Sequence, residues 1–140
     1  GMEKQKIEKY VAAHGLKNIL IKPLVSKEEY PYLVKDADVG VVCLNSKNKT
    51  PFVPGKFLGY LAAGKPILAL LNKESDGFGV IAEAQCGYAV ESSDLESAVT
   101  AVRKLYKERS KNKERGENGL QYAKNHFARE ACVRKLETLL

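Results

Sequence analysis

Residues 39–71 read VGVVCLNSKNKTPFVPGKFLGYLAAGKPILALL, and the punctuation of this stretch decides the fold. Val39–Leu44 is an unbroken apolar run, the pattern of a strand covered on both faces. A polar loop, Asn45 to Val53, follows it. Pro54 suits the first turn of a helix, where a missing N–H costs nothing, and the apolar spacing predicts a short helix over 54–63. Gly64 ends that helix, and Pro66–Leu71 is a second apolar strand. Two buried strands joined through a helix form a βαβ unit, which implies parallel pairing.

The rest of the chain repeats the alternation. Residues 3–14 place Ile7, Tyr10, Val11 and His14 on one helical face, with Gly15 as a C-terminal cap. Ile19–Val25 reads as a strand. Ser26 opens a helix, with Glu29 in capping-box spacing, and Pro31 either breaks that helix or restarts it as a second short turn. Residues 78–86 predict a helix closed by Gly87, and Tyr88–Val90 a short strand. Everything after Ser92 reads as helix. Leu95, Ala98, Val99, Val102, Leu105 and Tyr106 share one face of the first of these helices, and Val133, Leu136 and Leu140 one face of the last. The fold class is therefore α/β: a doubly wound, Rossmann-like parallel sheet of about four strands, with C-terminal helices packed at its end. The 140 residues read as a single domain.

Composition narrows the function. No apolar run reaches the roughly 18 residues of a membrane helix, and the charged start at Glu3-Lys4-Gln5-Lys6 is no signal peptide. Cys43, Cys86 and Cys132 follow no metal or CxxC spacing and read as buried, reduced thiols. Much of the net charge of +6 lies in RKLYKERSKNKER, residues 103–115. With Tyr106 its only aromatic, that run reads as a solvated helix face and argues against nucleic acid; acidic lipid headgroups or phosphorylated substrates suit it better. His14 and His126 lack a Ser or Cys nucleophile pattern and read as structural or exposed.

In a doubly wound sheet, ligands sit at the C-terminal strand ends, here the loops at 23–26, 45–54 and 72–78. The helix start Pro54-Gly55-Lys56 offers unpaired backbone N–H groups and the positive end of a dipole. Lys47, Lys49 and Lys56 add charge, and no Asp or Glu occurs between 45 and 60. A phosphate site and an ordinary solvated loop both fit these residues. Gly55-Lys56 is not a Walker A loop, since Thr50 and Phe57 occupy its Gly and Ser/Thr positions. Gly77-Phe78-Gly79-Val80-Ile81-Ala82 matches a loose dinucleotide fingerprint, but five residues separate it from the strand end at Leu71.

Taken together, Leu24-Val25-Ser26-Lys27-Glu28-Glu29-Tyr30-Pro31, Ala37-Asp38-Val39 and the run from Val53 through Gly64-Lys65-Pro66 resemble family 4 glycosyltransferases of the GT-B architecture, the bacterial surface-polysaccharide type above all. Cys86-Gly87-Tyr88-Ala89-Val90, Ser93-Asp94-Leu95-Glu96 and the tail around Asn125-His126-Phe127 continue the resemblance over essentially the whole chain. It implies the C-terminal half of such an enzyme, which holds a nucleotide-diphosphate sugar for retaining transfer to a glycan or lipid-linked acceptor. It implies no metal and no cofactor, and a cytoplasmic location, peripheral at the inner face of the membrane in the full-length protein. The implied donor contacts are Pro23, Leu24 and Val25 toward the base, and Thr50, Pro51, Phe52, Val53, Pro54, Gly55 and Lys56 along the sugar and diphosphate.

Two departures qualify it. Many members carry two glutamates with seven residues between them, the second gripping the ribose; Pro51 and Gly59 stand at those positions, so no catalytic residue is carried over. The family pattern also has two strands and a helix before the opening helix, with Gly1 aligned to the Gly ending the second strand, and an N-terminal acceptor domain. The chain alone is thus expected to be inactive, and its strand edges to pair in a homo-oligomer, or else to close up directly. Two rivals stand beside the transferase. One is a sugar-nucleotide epimerase on the same scaffold, for which loops 45–54 and 72–78 supply only Glu74 and Asp76 as acids. The other is a non-catalytic anion- or partner-binding α/β module.

Overall fold

The computed structural model describes residues 3–139. Gly1 and Leu140, both used in the sequence reading, lie outside the described residues. The chain forms two compact units, Gly1–Tyr30 and Pro31–Leu140.

In the first unit, α1 (Lys4–Ala13) ends where expected. Gly15 takes φ +59, and Leu16 N donates to Val11 O at 3.1 Å, which turns the chain out of the helix. His14 is structural: its Nδ1 bonds Tyr10 O at 2.8 Å and its ring stacks on Tyr10. The expected strand over Ile19–Val25 does not form. A strand needs a neighbour to complete its hydrogen bonds; this stretch pairs with none, Pro23 lacks a donor, and Leu20 and Leu24 are exposed. The capping box does form, with Ser26 N donating to Glu29 Oε2 (3.3 Å) and Glu29 N to Ser26 Oγ (3.1 Å). Regular helix begins only at Tyr30, and Pro31 sits in its first turn without breaking it.

The second unit runs α2 (Tyr30–Asp36), β1 (Gly40–Cys43), α3 (Gly55–Ala62), β2 (Ile67–Leu71), α4 (Gly77–Ala84), β3 (Gly87–Glu91) and α5 (Leu95–Lys107). A short 3-10 turn (Arg109–Lys111), α6 (Asn112–His126) and α7 (Arg129–Glu137) follow. The strands are parallel in the order β1-β2-β3, with Val41 opposite Leu68 and Ala69 opposite Ala89. Among the described residues the sheet thus has three strands rather than about four, because 19–25 adds none.

Alternation along β2 builds two layers. Ile67, Ala69 and Leu71 pack with Phe57 and Leu61 of α3 and Val80 and Ile81 of α4. Leu68 packs with Ala101 and Leu105 of α5 in a separate cluster. Helices on both faces of a parallel sheet make this a doubly wound α/β unit. Phe57 and Leu61 are completely buried, and a side chain of that size stabilises by about 1.5–3 kcal/mol on burial.

Four local readings change. β1 is an edge strand with only alternate residues covered: Val42 is buried in the core and Val41 is half exposed. Tyr60 of α3 lies over Gly40, whose missing Cβ makes the room, and its hydroxyl donates to Val41 O at 3.3 Å. α4 ends at Ala84 rather than 86; Gln85 takes the left-handed turn (φ 48), and Gly87 already belongs to β3. On α5 the buried side is Ala101 and Leu105, while Leu95, Val99, Val102 and Tyr106 are exposed; α7 buries Ala131 and leaves Val133 and Leu136 out. Of the three free thiols only Cys86 is buried, which pushes its pKa up to about 11; Cys43 ends an edge strand, and Cys132 is exposed beside the buried Ala131.

Glycines set how closely α6 approaches. A Cβ at Gly116 would stand 2.7 Å from the carbonyl carbon of Gly64, and one at Gly119 would stand 2.9 Å from Leu61 and 3.0 Å from Cys86. Gly64 itself closes α3 at φ +64, with Lys65 N donating to Tyr60 O at 3.0 Å. One turn on, Tyr122 donates to Glu83 at 2.7 Å, and burial with that bond pushes its phenol up to about 12. Gly116→Ala gains about 1 kcal/mol of helix propensity. Overpacking against backbone costs about 1–3 kcal/mol and wins. Urea denaturation should therefore show Gly116→Ala destabilised, whereas Gly79→Ala, whose Cβ meets nothing within 4 Å on α4, should gain about 0.5–1 kcal/mol.

Candidate functional site

Parallel pairing puts the ends of β1, β2 and β3 on one edge of the sheet, so the segments after Cys43, Leu71 and Glu91 emerge together. The first is shaped by its own asparagines. Asn45 Oδ1 accepts from Lys47 N and Asn48 Oδ1 from Thr50 N, both at 2.9 Å, two successive side-chain turns. They lead the chain to Pro54, which caps α3 in an extended conformation (φ −60, ψ 134) and is buried. Gly55 and Lys56 then begin α3, both exposed, and a Cβ at Gly55 would meet nothing within 4 Å. The helix start is thus open to solvent, as an anion site requires.

Ser75 ties this loop to the next. Its side chain, 5% exposed, donates to Phe52 O at 2.8 Å and accepts from Gly77 N at 3.2 Å. The Gly77-Phe78-Gly79 stretch therefore serves as the start of α4 and not as a dinucleotide turn at a strand end. Asn72, directly after β2, is buried, and its Nδ2 donates to Glu74 Oε2 at 3.3 Å. That bond, ahead of the weaker pull of Lys49 and Lys73, holds the Glu74 carboxyl below its usual range. Asn72 Oδ1 and Ser92 Oγ, at neighbouring strand ends, are buried polar atoms without a protein partner. Sequence reasoning passed over Asn72, Ser75 and Ser92. The available signal was a polar residue directly after a strand, for Asn72 after Leu71 and Ser92 after Glu91; Ser75, four residues beyond Leu71, carried none.

The candidate residues divide between the two units. Thr50, Pro51, Phe52, Val53, Pro54, Gly55, Lys56 and Gly59 all belong to the second and lie within one loop and the helix it enters. Thr50 and Pro51 are exposed, Phe52 and Val53 partly covered, and Gly59 is exposed in the interior of α3. Pro23, Leu24 and Val25 belong to the first unit, in irregular chain, with Leu24 fully exposed. Lys47, Lys49 and Lys56 are all exposed beside or within the loop. No three His, Cys, Asp or Glu side chains converge as metal ligands among the described residues.

No family model matches the chain, and no curated protein does. A solved structure does match. The chain superposes on sucrose-phosphate synthase from Thermosynechococcus elongatus with a TM-score of 0.78 at 20% identity, over 99% of this chain and 34% of that one. The chain thus spans about a third of that protein's length. At this identity the likeness is one of fold, and it agrees with the helix-flanked parallel sheet: the architecture is that of a Rossmann-like GT-B domain. Among the described residues no helix is long and apolar enough to cross a membrane.

Ser75→Ala removes the bond that joins the loops, together with the local one from Gly77 N, and leaves the Phe52 carbonyl unpaired. A loss of about 1–2 kcal/mol is expected. Hydrogen exchange should report it as faster exchange over 72–78 and the 45–54 loop, with β2 unchanged.

Proposed function

We propose that this chain is the donor-binding half of a glycosyltransferase, recognising a nucleotide-diphosphate sugar whose diphosphate lies at the start of α3. The observation that carries this reading is the solvent-open helix start at Gly55-Lys56, set at the C-terminal strand ends and free of acids from 45 to 60. An anion there meets backbone N–H groups, the positive end of the helix dipole and the Lys56 ammonium. The fold likeness to sucrose-phosphate synthase, a glycosyltransferase, supports the same class. The finer assignment, family 4 and glycan or lipid-linked acceptors with retention of configuration, rests on the sequence resemblance. So does the second contact set, Pro23, Leu24 and Val25 toward the base.

The state of Glu74 weighs against the epimerase reading. An acid–base role wants a carboxyl whose pKa is raised toward neutrality. At Glu74 the hydrogen bond from Asn72 instead holds the carboxyl below its usual range, which suits it poorly as a proton donor. Ribose recognition is the unusual feature, because neither Pro51 nor Gly59 can accept a hydrogen bond through a side chain.

Isothermal calorimetry with a panel of nucleoside diphosphates tests the proposal. At least one should bind, and Lys56→Glu should weaken that binding by about 1–2 kcal/mol, since an attractive charge becomes repulsive. Equal affinity in parent and variant removes the diphosphate from this loop. In the full-length protein, Gly59→Glu should tighten donor binding and also stabilise α3 by about 0.5–1 kcal/mol. A gain in stability with unchanged affinity would mean that the ribose is held elsewhere.

A further inference from the structure

One carboxylate is fixed beside the basic loop at the start of α3. Glu74 stands in the segment after β2, and Ser75, its neighbour in the chain, donates to Phe52 O at 2.8 Å. Phe52 precedes Gly55 by three residues, a span of about 10 Å at most. The segment carrying Glu74 thus meets the chain just ahead of α3, within the same unit. Cations surround it: Lys49 of the 45–54 loop and Lys73 both favour its charged form. The side chain is exposed but tethered, because Asn72 Nδ2 donates to Glu74 Oε2 at 3.3 Å. Asn72 is only 2% exposed, and its own Oδ1 is buried without a protein partner. An unpaired oxygen in the interior destabilises the fold, so the tether on Glu74 is what this amide contributes.

The other acids at this edge of the sheet are placed differently. Asp94 caps α5, accepting from Ser97 N at 2.9 Å. Glu91 ends β3, on the far side of β2 from β1. Asp76 precedes α4 without a side-chain hydrogen bond to it. A fixed anion repels a diphosphate, so its use toward a ligand that carries one lies with the ligand's neutral part. Beside the diphosphate, a nucleotide sugar offers hydroxyl donors. An ionised carboxylate only accepts and has about four lone-pair sites, of which Asn72 takes one. Hydroxyls on adjacent carbons match its two oxygens, and such bonds are charge-assisted.

We propose that Glu74 recognises a pair of neighbouring hydroxyls on the ligand's sugar portion, either the nucleoside ribose or the transferred sugar. The inference rests on the donor-site reading above. It divides the labour between the two loops: the start of α3 takes the charge, and the segment after β2 selects a hydroxylated ligand over a bare phosphate.

Calorimetry without divalent cations compares the parent with Glu74→Gln, which keeps an acceptor for Asn72 and alters an exposed residue. The ligands are inorganic pyrophosphate; UDP, ADP and GDP; their 2′-deoxy forms; and their glucose esters. Glu74→Gln should bind pyrophosphate at least as tightly as the parent, because a repelling charge is gone. It should bind the preferred nucleotide about tenfold or more weakly. With ribose as the source, the parent prefers the ribo form to the 2′-deoxy form and the variant does not. With the transferred sugar as the source, the parent prefers the glucose ester to the free diphosphate and the variant does not. Asp76→Asn, the same change of charge at the other acid of the segment, should bind like the parent. Thermal melting checks that both variants are folded. Glu74→Gln binding nucleotides as the parent does, or keeping the parent's preferences, overturns the inference and leaves the donor site standing. Equal losses for pyrophosphate and nucleotide, or an equal loss in Asp76→Asn, also overturn it. A parent that binds none of these ligands removes the donor-site reading and this inference with it.

Discussion

Because β1 and β2 run parallel, the chain leaving Cys43 has to return along the sheet before it can enter β2 at Ile67, and α3 is that return. The geometry of the candidate site follows from this constraint. A crossover helix starts at the end where the first strand finished, so its open N–H groups face the same edge as the loops after β2 and β3. Phe57 and Leu61, completely buried between sheet and helices, fix α3 in that position. Ser75 then fixes the loop before α3 to the loop before α4. The proposed anion site is thus a consequence of strand direction and core packing, with Lys56 adding charge at a helix start that the backbone leaves open.

Two carboxylates near surface cations are both engaged within the protein. Asn72 holds Glu74 ionised beside the loop lysines. Glu108 is bound by Arg115 and Tyr88, and those same groups attach the start of α6 to β3. Arg115 also reaches Asn112 Oδ1 at 3.0 Å and lies over the Tyr88 ring. The basic character of 103–115 is therefore uneven. Arg115 is a structural group spent on its neighbours, whereas Arg103, Lys104, Lys107, Arg109 and Lys111 are exposed on α5 and the turn after it, and Lys113 on α6.

The sequence determined the second unit in most of its elements. Fully apolar β2, the Pro54 start and Gly64 stop of α3, and the return to apolar residues at 66–71 all follow local rules that hold whatever surrounds them. The candidate loop was legible for the same reason, since Pro, Gly and Lys at a helix start act through backbone and charge alone. Only tertiary structure decided the rest. Ile19–Val25 has strand-like composition, but a strand exists through the neighbour that pairs with it, and composition names no neighbour. The face that α5 buries was misread for a related reason: periodicity shows that an apolar flank exists, while the reach of the sheet decides how much of it is covered. Asn72 and Ser75 became important only when separate loops met at one sheet edge, a juxtaposition set by strand order and absent from any local pattern.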